Sequence, residues 1–278
     1  VRVDSLATTG EQCFDLTMHA IRDLSLGDEV YFVEHHFAHA TLAAETGRMK
    51  DGLVLAADGG GSHQHSALYQ VSDGDLSLLH ANALPVNWGK LYRQLPAQLI
   101  RDFRGGRYEV PGKAMALAGL AEPDESLVEE FLALLEKSEG DPDAWGKAAV
   151  RAFLGSSDSL SASDTAAWVL CASLQQALEK SVIEVFSAGL PSSRGDFEIG
   201  VSGGLALNGV LNERIRSELN PTTMTVPFAP GDGGLVLGGL SAVLRNDGAP
   251  APDLSSPFLG APVGSAEQLA SFERSSVD

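Results

Sequence analysis

Two hydrophobic periodicities alternate along the chain and predict an alternation of strands and helices. Short apolar runs that end in glycine-rich or polar turns are typical of strands, whereas apolar residues three or four positions apart are typical of helices. The predicted strands span residues 30–33, 53–57, 67–71, 76–80, 197–201 and 224–226. The predicted helices span residues 14–24, 34–46, 88–103, 113–120, 124–137, 163–188, 205–219 and 235–244. This order predicts an α/β fold in which helices cover a sheet.

A segment rich in Gly, Asp and Ser, residues 140–161, interrupts both periodicities and is the predicted boundary between two lobes. We therefore predict a first lobe at residues 1–150 and a second lobe at residues 151–246. After Asn246 the Pro, Ser and Ala content rises and the periodicity fades, so residues 247–278 are predicted to form an extended tail.

The charge balance excludes several classes of partner. The chain of 278 residues has 37 acidic and 19 basic residues, a formal net charge of −18, which argues against a nucleic-acid partner. A phosphate-bearing ligand would need a local device, such as a metal ion or a ring of backbone N–H groups.

The two cysteines are far apart and suggest neither a disulfide framework nor a thiolate metal site. The apolar stretches are shorter than the roughly 20 residues of a membrane span, so the sequence predicts a cytoplasmic protein with no membrane partner.

A group of histidines in the predicted helix 34–46 is the sharpest local indication of metal chemistry. His35 and His39 are four positions apart, which places both imidazoles on one helix face within reach of one ion. Taken alone, an ordinary pair of surface or core histidines is an alternative. No Glu follows the first histidine in the metalloprotease arrangement, so a zinc hydrolase is not indicated. His63 and His65 lie in a predicted loop, either as further ligands or as solvated side chains.

Three glycine-rich loops follow predicted strands and are candidate phosphate-binding sites. Backbone N–H groups in such loops can contact phosphate, and a helix that starts there adds its positive N-terminal end. For each loop taken alone, an ordinary connecting turn is the alternative. The glycines concerned are Gly59, Gly60, Gly203, Gly204, Gly231 and Gly233.

Four polar residues near loops are candidates for binding or catalysis. Asp58 and Asp232 can hold a metal ion, although either can instead cap a following helix. Asn208, one turn into the helix after the second loop, would face a bound nucleotide or else solvent. Lys113, at a predicted loop-to-helix junction, can reach a phosphate or serve as a plain surface residue.

Five ordered motifs resemble those of the NodU/CmcH-type O-carbamoyltransferases. The resemblance spans roughly residues 30–244, and the segment SPFLG at 256–260 is similar to the junction that follows in that family. Five motifs in the family's order are far more specific than any one of them. They are EHHFAHA at 34–40, DGGG at 58–61, GKAMALA at 112–118, GGLALN at 203–208 and PGDGG at 230–234.

This resemblance implies the actin, sugar-kinase and Hsp70-type ATPase fold, with duplicated ribonuclease H-like lobes. It implies kinship with the tRNA threonylcarbamoyl-transferring subunit and the hydrogenase-maturation carbamoyltransferase. The implied chemistry forms a carbamoyl adenylate from carbamoyl phosphate and ATP, then transfers the carbamoyl group to a hydroxyl of a small-molecule acceptor, a sugar or an antibiotic scaffold. The implied cofactor is a divalent metal, iron by resemblance and otherwise Mg, Mn or Zn.

The resemblance also assigns roles to particular residues. The metal ion would lie among His35, His39 and Asp232, where it bridges to the nucleotide phosphates. Asp58 and Lys113 would act in catalysis. The nucleotide would contact Gly59, Gly60, Gly203, Gly204, Asn208, Gly231 and Gly233.

Two departures from the family pattern shape the expectation. Family members carry a strand and hairpin with a His-Asp motif before the position of Val1, so we expect the first lobe to be incomplete. The tail at 247–278 would lead toward a second domain that makes the carbamoyl adenylate. We therefore expect part of a split enzyme or a subunit whose partner chain supplies the missing parts. The alternatives are a catalytically silent nucleotide- and metal-binding subunit, and a small-molecule kinase of the same superfamily, in which the histidine pair has no purpose.

Overall fold

The computed structural model describes residues 31–61, 64–103, 109–137, 148, 159–190 and 196–257. Its strands are β1 (Gly52–Ala57), β2 (Ser66–Ser72), β3 (Asp75–Ala81), β4 (Glu198–Ser202) and β5 (Thr223–Thr225). Its helices are α1 (His35–Gly47), α2 (Trp88–Leu99), α3 (Glu109–Ala118), α4 (Glu125–Lys137), α5 (Thr165–Gly189), α6 (Gly209–Leu219) and α7 (Leu235–Asn246). None of the described helices is both long and apolar enough to cross a membrane. The predicted helix 14–24, most of segment 140–161 and the tail beyond residue 257 lie outside the described residues.

The five strands form one mixed sheet in the order β3-β2-β1-β4-β5. Strands β1, β2 and β3 pair antiparallel, whereas β4 runs parallel to both β1 and β5. The α/β prediction is therefore confirmed as a mixed five-stranded sheet with helices. Strands from both sides of residue 150 share this sheet, so the predicted lobes 1–150 and 151–246 are joined through the β1–β4 pairing.

The β2–β3 connection shows how directly some local sequence specifies structure. Ser72 pairs with Asp75, which leaves a two-residue turn of Asp73 and Gly74. Both have positive φ, 52° and 85°, as a type I′ turn requires. The predicted strands 67–71 and 76–80 leave the sequence Ser-Asp-Gly-Asp for this connection, which is typical of such a turn.

Alternation along β1 divides the core between the two faces of the sheet. Val54 and Ala56 belong to an apolar cluster with the alanines of α1. Leu53 and Leu55 belong to the larger cluster on the opposite face, which includes residues of α2, α3, α4, α5 and α6. Because successive strand residues point to opposite faces, one apolar run supports both layers. Helix α7 packs against α1, on the sheet face that carries Val54 and Ala56.

One predicted strand is absent from the described residues, and two predicted helix boundaries differ from the structure. Residues 31–33 form no strand, and the side chains of Tyr31 and Phe32 are about half exposed. Helix α2 ends at Leu99 rather than at 103, because Ile100 turns extended and forms a parallel bridge with Leu160. Helix α3 already includes Glu109, four residues before the predicted start, and accommodates a proline in its first turn, where no N–H is needed.

Candidate metal centre and adjoining cavity

The N-terminus of α1 is fixed by a glutamate that caps it. Glu34 is extended, and its Oε2 accepts a 2.7 Å hydrogen bond from the backbone N–H of Phe37. The Tyr69 hydroxyl on β2 donates to the same oxygen at 3.3 Å, and His36 Nδ1 lies 3.3 Å from Oε1. A capping carboxylate satisfies a backbone donor that the helix leaves open. The cap therefore sets where the first turn begins, and with it the direction of His35.

Helix α1 and two loops bring four potential metal ligands together. His39 Nε2 lies 3.4 Å from Asp58 Oδ2 and 3.8 Å from Asp232 Oδ1. His35 Nε2 lies 3.7 Å and 3.8 Å from the same two oxygens. One ligand atom from each of the four residues lies within 4.8 Å of the others. The structure thus brings together the three ligands implied by the resemblance and Asp58, which its loop position made a candidate metal ligand and the resemblance assigned to catalysis.

The imidazoles of this cluster lack the partners that buried nitrogen atoms normally have. His35 Nε2 and both ring nitrogens of His39 are buried without a hydrogen-bond partner among the described residues. Buried polar atoms are satisfied in the large majority of cases, so each exception requires an explanation. Imidazole nitrogens and carboxylate oxygens are common ligands of divalent ions. The donor set and its orphaned atoms therefore fit a metal ion, which could be held here by all four side chains.

Electrostatics favour the ligand form of Asp58. Burial raises the pKa of this carboxyl, but the His35 and His39 imidazoles and the Gly59 N–H outweigh burial and hold the pKa well below its usual range. The nearby Asp58 carboxylate in turn raises the pKa of His35, against the opposite effect of burial. Asp58 is consequently ionised over the physiological range, which suits a metal ligand. A general base would instead need a pKa near neutrality.

The four ligands differ in exposure, which gives the cluster an open side. The side chain of His39 is fully buried and that of Asp58 is 7% exposed, whereas Asp232 is 41% exposed. Asp232 lies in a short 3-10 helix, Asp232–Gly234, directly before α7. An ion bound here would be reached from the Asp232 side.

The glycine loops after β1 and β4 lie against each other. Gly203 has a φ of 89°, and a Cβ at this position would overlap the backbone oxygen of Ala57. A Cβ on Gly204 would lie 2.9 Å from Asp58 Oδ1. Glycine is required at Gly203 for its conformation and its approach to backbone, whereas a Cβ on Gly204 would force the Asp58 carboxylate to shift. Open space surrounds the Cβ positions of the remaining predicted glycines, so crowding in the protein does not explain them: Gly59, Gly60, Gly231 and Gly233.

A cavity adjoins the metal-ligand cluster and shares Asp58 with it. Its walls come from the loop after β1, from α2 and α3, and from the segment after β4. Sequence reasoning missed Tyr92 and Arg93, which helical spacing alone marks only as helix residues. The lining residues are Asp58, Gly59, Gly89, Tyr92, Arg93, Pro111, Gly112, Met115, Gly204, Leu205, Leu207 and Asn208.

Asn208 lines this cavity, but not from the predicted position inside a helix. The predicted helix 205–219 is divided into a 3-10 helix, Gly204–Leu207, and α6, with Asn208 extended between them. Asn208 caps α6 by accepting a 3.0 Å hydrogen bond from the backbone N–H of Leu211. Its side chain is buried and also bonds to Gln175 of α5. Neither the solvent-facing alternative nor a position one turn into the helix is correct.

Lys113 is not at a loop-to-helix junction, so that prediction is wrong. It is the fifth residue of α3, and its Nζ lies 3.5 Å from the Glu109 carboxylate on an exposed face. The neighbours Gly112 and Met115 line the cavity instead. His63 lies outside the described residues, and His65 Nε2 lies 3.1 Å from the backbone oxygen of Leu84, a structural contact rather than a place in the cluster.

Comparisons with known proteins identify the protein family to which the chain belongs. The family model described as carbamoyltransferase N-terminus matches residues 18–240, which is more than half of the chain. The chain belongs to this carbamoyltransferase family. Among solved structures, it is similar to T. kodakarensis HypF, at 16% sequence identity and a TM-score of 0.43. That match covers 87% of this chain and 40% of HypF, so the chain spans less than half the length of that protein.

Proposed function

We propose that the chain is the nucleotide- and metal-binding core of a NodU/CmcH-type O-carbamoyltransferase. It would form a carbamoyl adenylate from carbamoyl phosphate and ATP, with one water consumed and with inorganic phosphate and pyrophosphate as the leaving groups. It would then transfer the carbamoyl group to a hydroxyl of a sugar or natural-product acceptor. Family membership supports carbamoyl transfer in general terms. The observation that carries the finer proposal is that the metal-ligand cluster and the cavity meet at Asp58.

The donor set supports a divalent metal as cofactor. His35, His39, Asp58 and Asp232 would hold it, with iron favoured by the motif resemblance and Mg, Mn or Zn as alternatives. When bound, the ion would offset phosphate charge and orient the anhydride for attack, in a chain whose own net charge is −18. Nucleotide phosphates would meet the ion at Asp58, the residue that the cluster shares with the cavity.

The cavity walls support a nucleotide beside that metal. Asn208 and Gly204 line the cavity from the segment after β4, and Gly59 lines it from the loop after β1. We assign the nucleoside to this cavity and the phosphates to the glycine loops at its Asp58 end. In the transfer step, the acceptor hydroxyl oxygen forms a bond to the carbamoyl carbon as the bond from that carbon to the AMP oxygen breaks. AMP leaves, and the hydroxyl proton is lost to water.

We further propose that the sheet is the ribonuclease H-like core of an actin, sugar-kinase and Hsp70-type ATPase fold. Its order, with an antiparallel three-stranded unit followed by two parallel strands, supports this assignment. The remaining parts of such an enzyme, including an adenylate-forming domain, would come from a longer chain or from a partner.

Product analysis tests the proposed function. The protein, with its complete reading frame or natural partner, is incubated with ferrous iron, ATP, carbamoyl phosphate and a panel of hydroxyl acceptors. We expect AMP and pyrophosphate from ATP, inorganic phosphate from carbamoyl phosphate, and carbamoylated acceptor by mass spectrometry. A double variant, His35→Ala with His39→Ala, is expected to lower product formation because the ion loses two of its four ligands.

Three outcomes would contradict the proposal, and they are distinguishable. Formation of ADP with phosphorylated acceptor would identify a small-molecule kinase instead. Tight ATP and metal binding without turnover would identify a silent binding subunit. Equal product formation by the wild type and the double variant would show that carbamoyl transfer does not need a metal ion held by the two histidines.

A further inference from the structure

A buried polar network lies behind the cavity and connects two of its walls. Tyr92 on α2 and Asn208 before α6 both line the cavity. Gln175, in the middle of α5, hydrogen-bonds to both of them and is only 4% exposed. Neither its sequence position nor the proposed reaction accounts for a buried amide here.

Both polar atoms of the Gln175 side chain take part in hydrogen bonds. Its Oε1 accepts from the Tyr92 hydroxyl at 2.6 Å and from Asn208 Nδ2 at 2.9 Å. Its Nε2 donates to Glu179 Oε1 at 2.7 Å and to Asn208 Oδ1 at 3.3 Å. A primary amide offers two donors and one acceptor oxygen, so every polar group of Gln175 is engaged.

The two cavity residues that Gln175 contacts have defined hydrogen-bonding roles. Burial raises the pKa of Tyr92 well above its usual range, so its hydroxyl keeps the proton that it donates to Gln175. Asn208 Oδ1 also accepts a hydrogen bond from the Leu211 N–H, which fixes the positions of the oxygen and the nitrogen in the Asn208 amide. Without Gln175, the Asn208 amide would lose both bonds to this residue and keep its helix-capping contact and its interaction with Tyr92.

The surroundings of Gln175 show that packing alone does not explain the residue. Its neighbours in α5 include buried Leu174 and Leu178, which belong to the main apolar cluster. An amide in such a layer is destabilising unless it is fully hydrogen-bonded, whereas an apolar side chain of similar size would pack without that requirement. The network therefore orders Tyr92 and Asn208 relative to each other.

We propose that Gln175 is a positioning residue for the nucleoside, because it holds Tyr92 and Asn208 in one arrangement across the cavity. The inference rests on the proposed function for the identity of the ligand. The positioning itself is a property of the ligand-free chain, which allows a separate test.

The test compares Gln175→Leu with Gln176→Leu, a change of the same chemistry at the next position of α5. Gln176 is half-buried, and its Nε2 donates to the Glu125 carboxylate at the start of α4, away from the cavity. In the ligand-free protein, we expect Gln175→Leu to lower hydrogen-exchange protection of the Leu211 N–H by about 10-fold, since the capping Asn208 is no longer held. ATP affinity, measured by calorimetry, is expected to fall by about 10-fold while metal affinity stays within about 2-fold. Gln176→Leu is expected to change none of the three.

The readouts separate a positioning role from general destabilisation and from failure of the proposed function. Equal Leu211 protection in the two variants would overturn the inference, and so would a parallel loss of ATP and metal affinity in Gln175→Leu. If the wild type binds no ATP, the proposed function fails, and Leu211 exchange alone decides the positioning role. If Gln175→Leu does not fold, Tyr92→Phe removes one bond of the network and keeps the ring. About 3-fold weaker ATP binding is then expected, and unchanged binding would overturn the inference.

Discussion

Replacing His39 with alanine is expected to weaken divalent-metal binding by at least about 10-fold, and by about 100-fold if the loss matches the upper end for orienting residues. Loss of residues that merely orient a metal ligand reduces affinity by about 10- to 100-fold, so loss of a fully buried ligand should cost no less. His39 is the best single target because both of its ring nitrogens lack a hydrogen-bond partner among the described residues. Calorimetric titration with ferrous iron under anaerobic conditions, and with manganese, measures the change.

His80→Ala provides the matched control for this prediction. His80 is an exposed histidine on β3 and is not part of the four-residue cluster. Its replacement should leave metal affinity and stoichiometry unchanged. A His39→Ala protein that binds one equivalent of metal as tightly as the His80→Ala protein would show that the cluster is not the metal site.

The parts of the site that depend on local spacing could be predicted from the sequence. His35 and His39 face the same way because they are four positions apart on a helix without breakers. The glycine loops could be placed because apolar runs ended at them, and parallel strands bring such ends to one edge of the sheet. These features require knowledge of only a few neighbouring residues.

The parts that depend on tertiary packing could not be predicted in the same way. Asp58 was a candidate metal ligand by its chemistry, but its approach to His35 and His39 depends on how the end of β1 packs against α1, which no spacing in the chain encodes. Gln175 reads as one polar position on an apolar helix until Tyr92 and Asn208 are placed beside it.

Two adjacent glycines in α7 are expected to respond in opposite directions to alanine substitution. A Cβ on Gly238 would overlap the backbone oxygen of Ala38 in α1, whereas a Cβ on Gly239 would meet nothing nearer than Val33 Cγ2 at 4.0 Å. Overpacking of this kind typically costs about 1–3 kcal/mol, because backbone cannot move aside as a flexible side chain can. We therefore expect Gly238→Ala to lower the free energy of unfolding by about that amount. Gly239→Ala is expected to raise it by up to about 1 kcal/mol, the gain in helix propensity.

The same pair of variants tests whether α7 supports the metal site. Ala38 lies next to His39, so a displacement of α1 away from α7 would move the buried imidazole relative to Asp58 and Asp232. Gly238→Ala should consequently weaken metal binding, while Gly239→Ala should leave it intact. Urea unfolding followed by circular dichroism gives the stability change, and metal titration of the folded variants gives the second readout. Equal stability and equal metal affinity in the two variants would mean that the close α1–α7 contact does not hold the histidines in place.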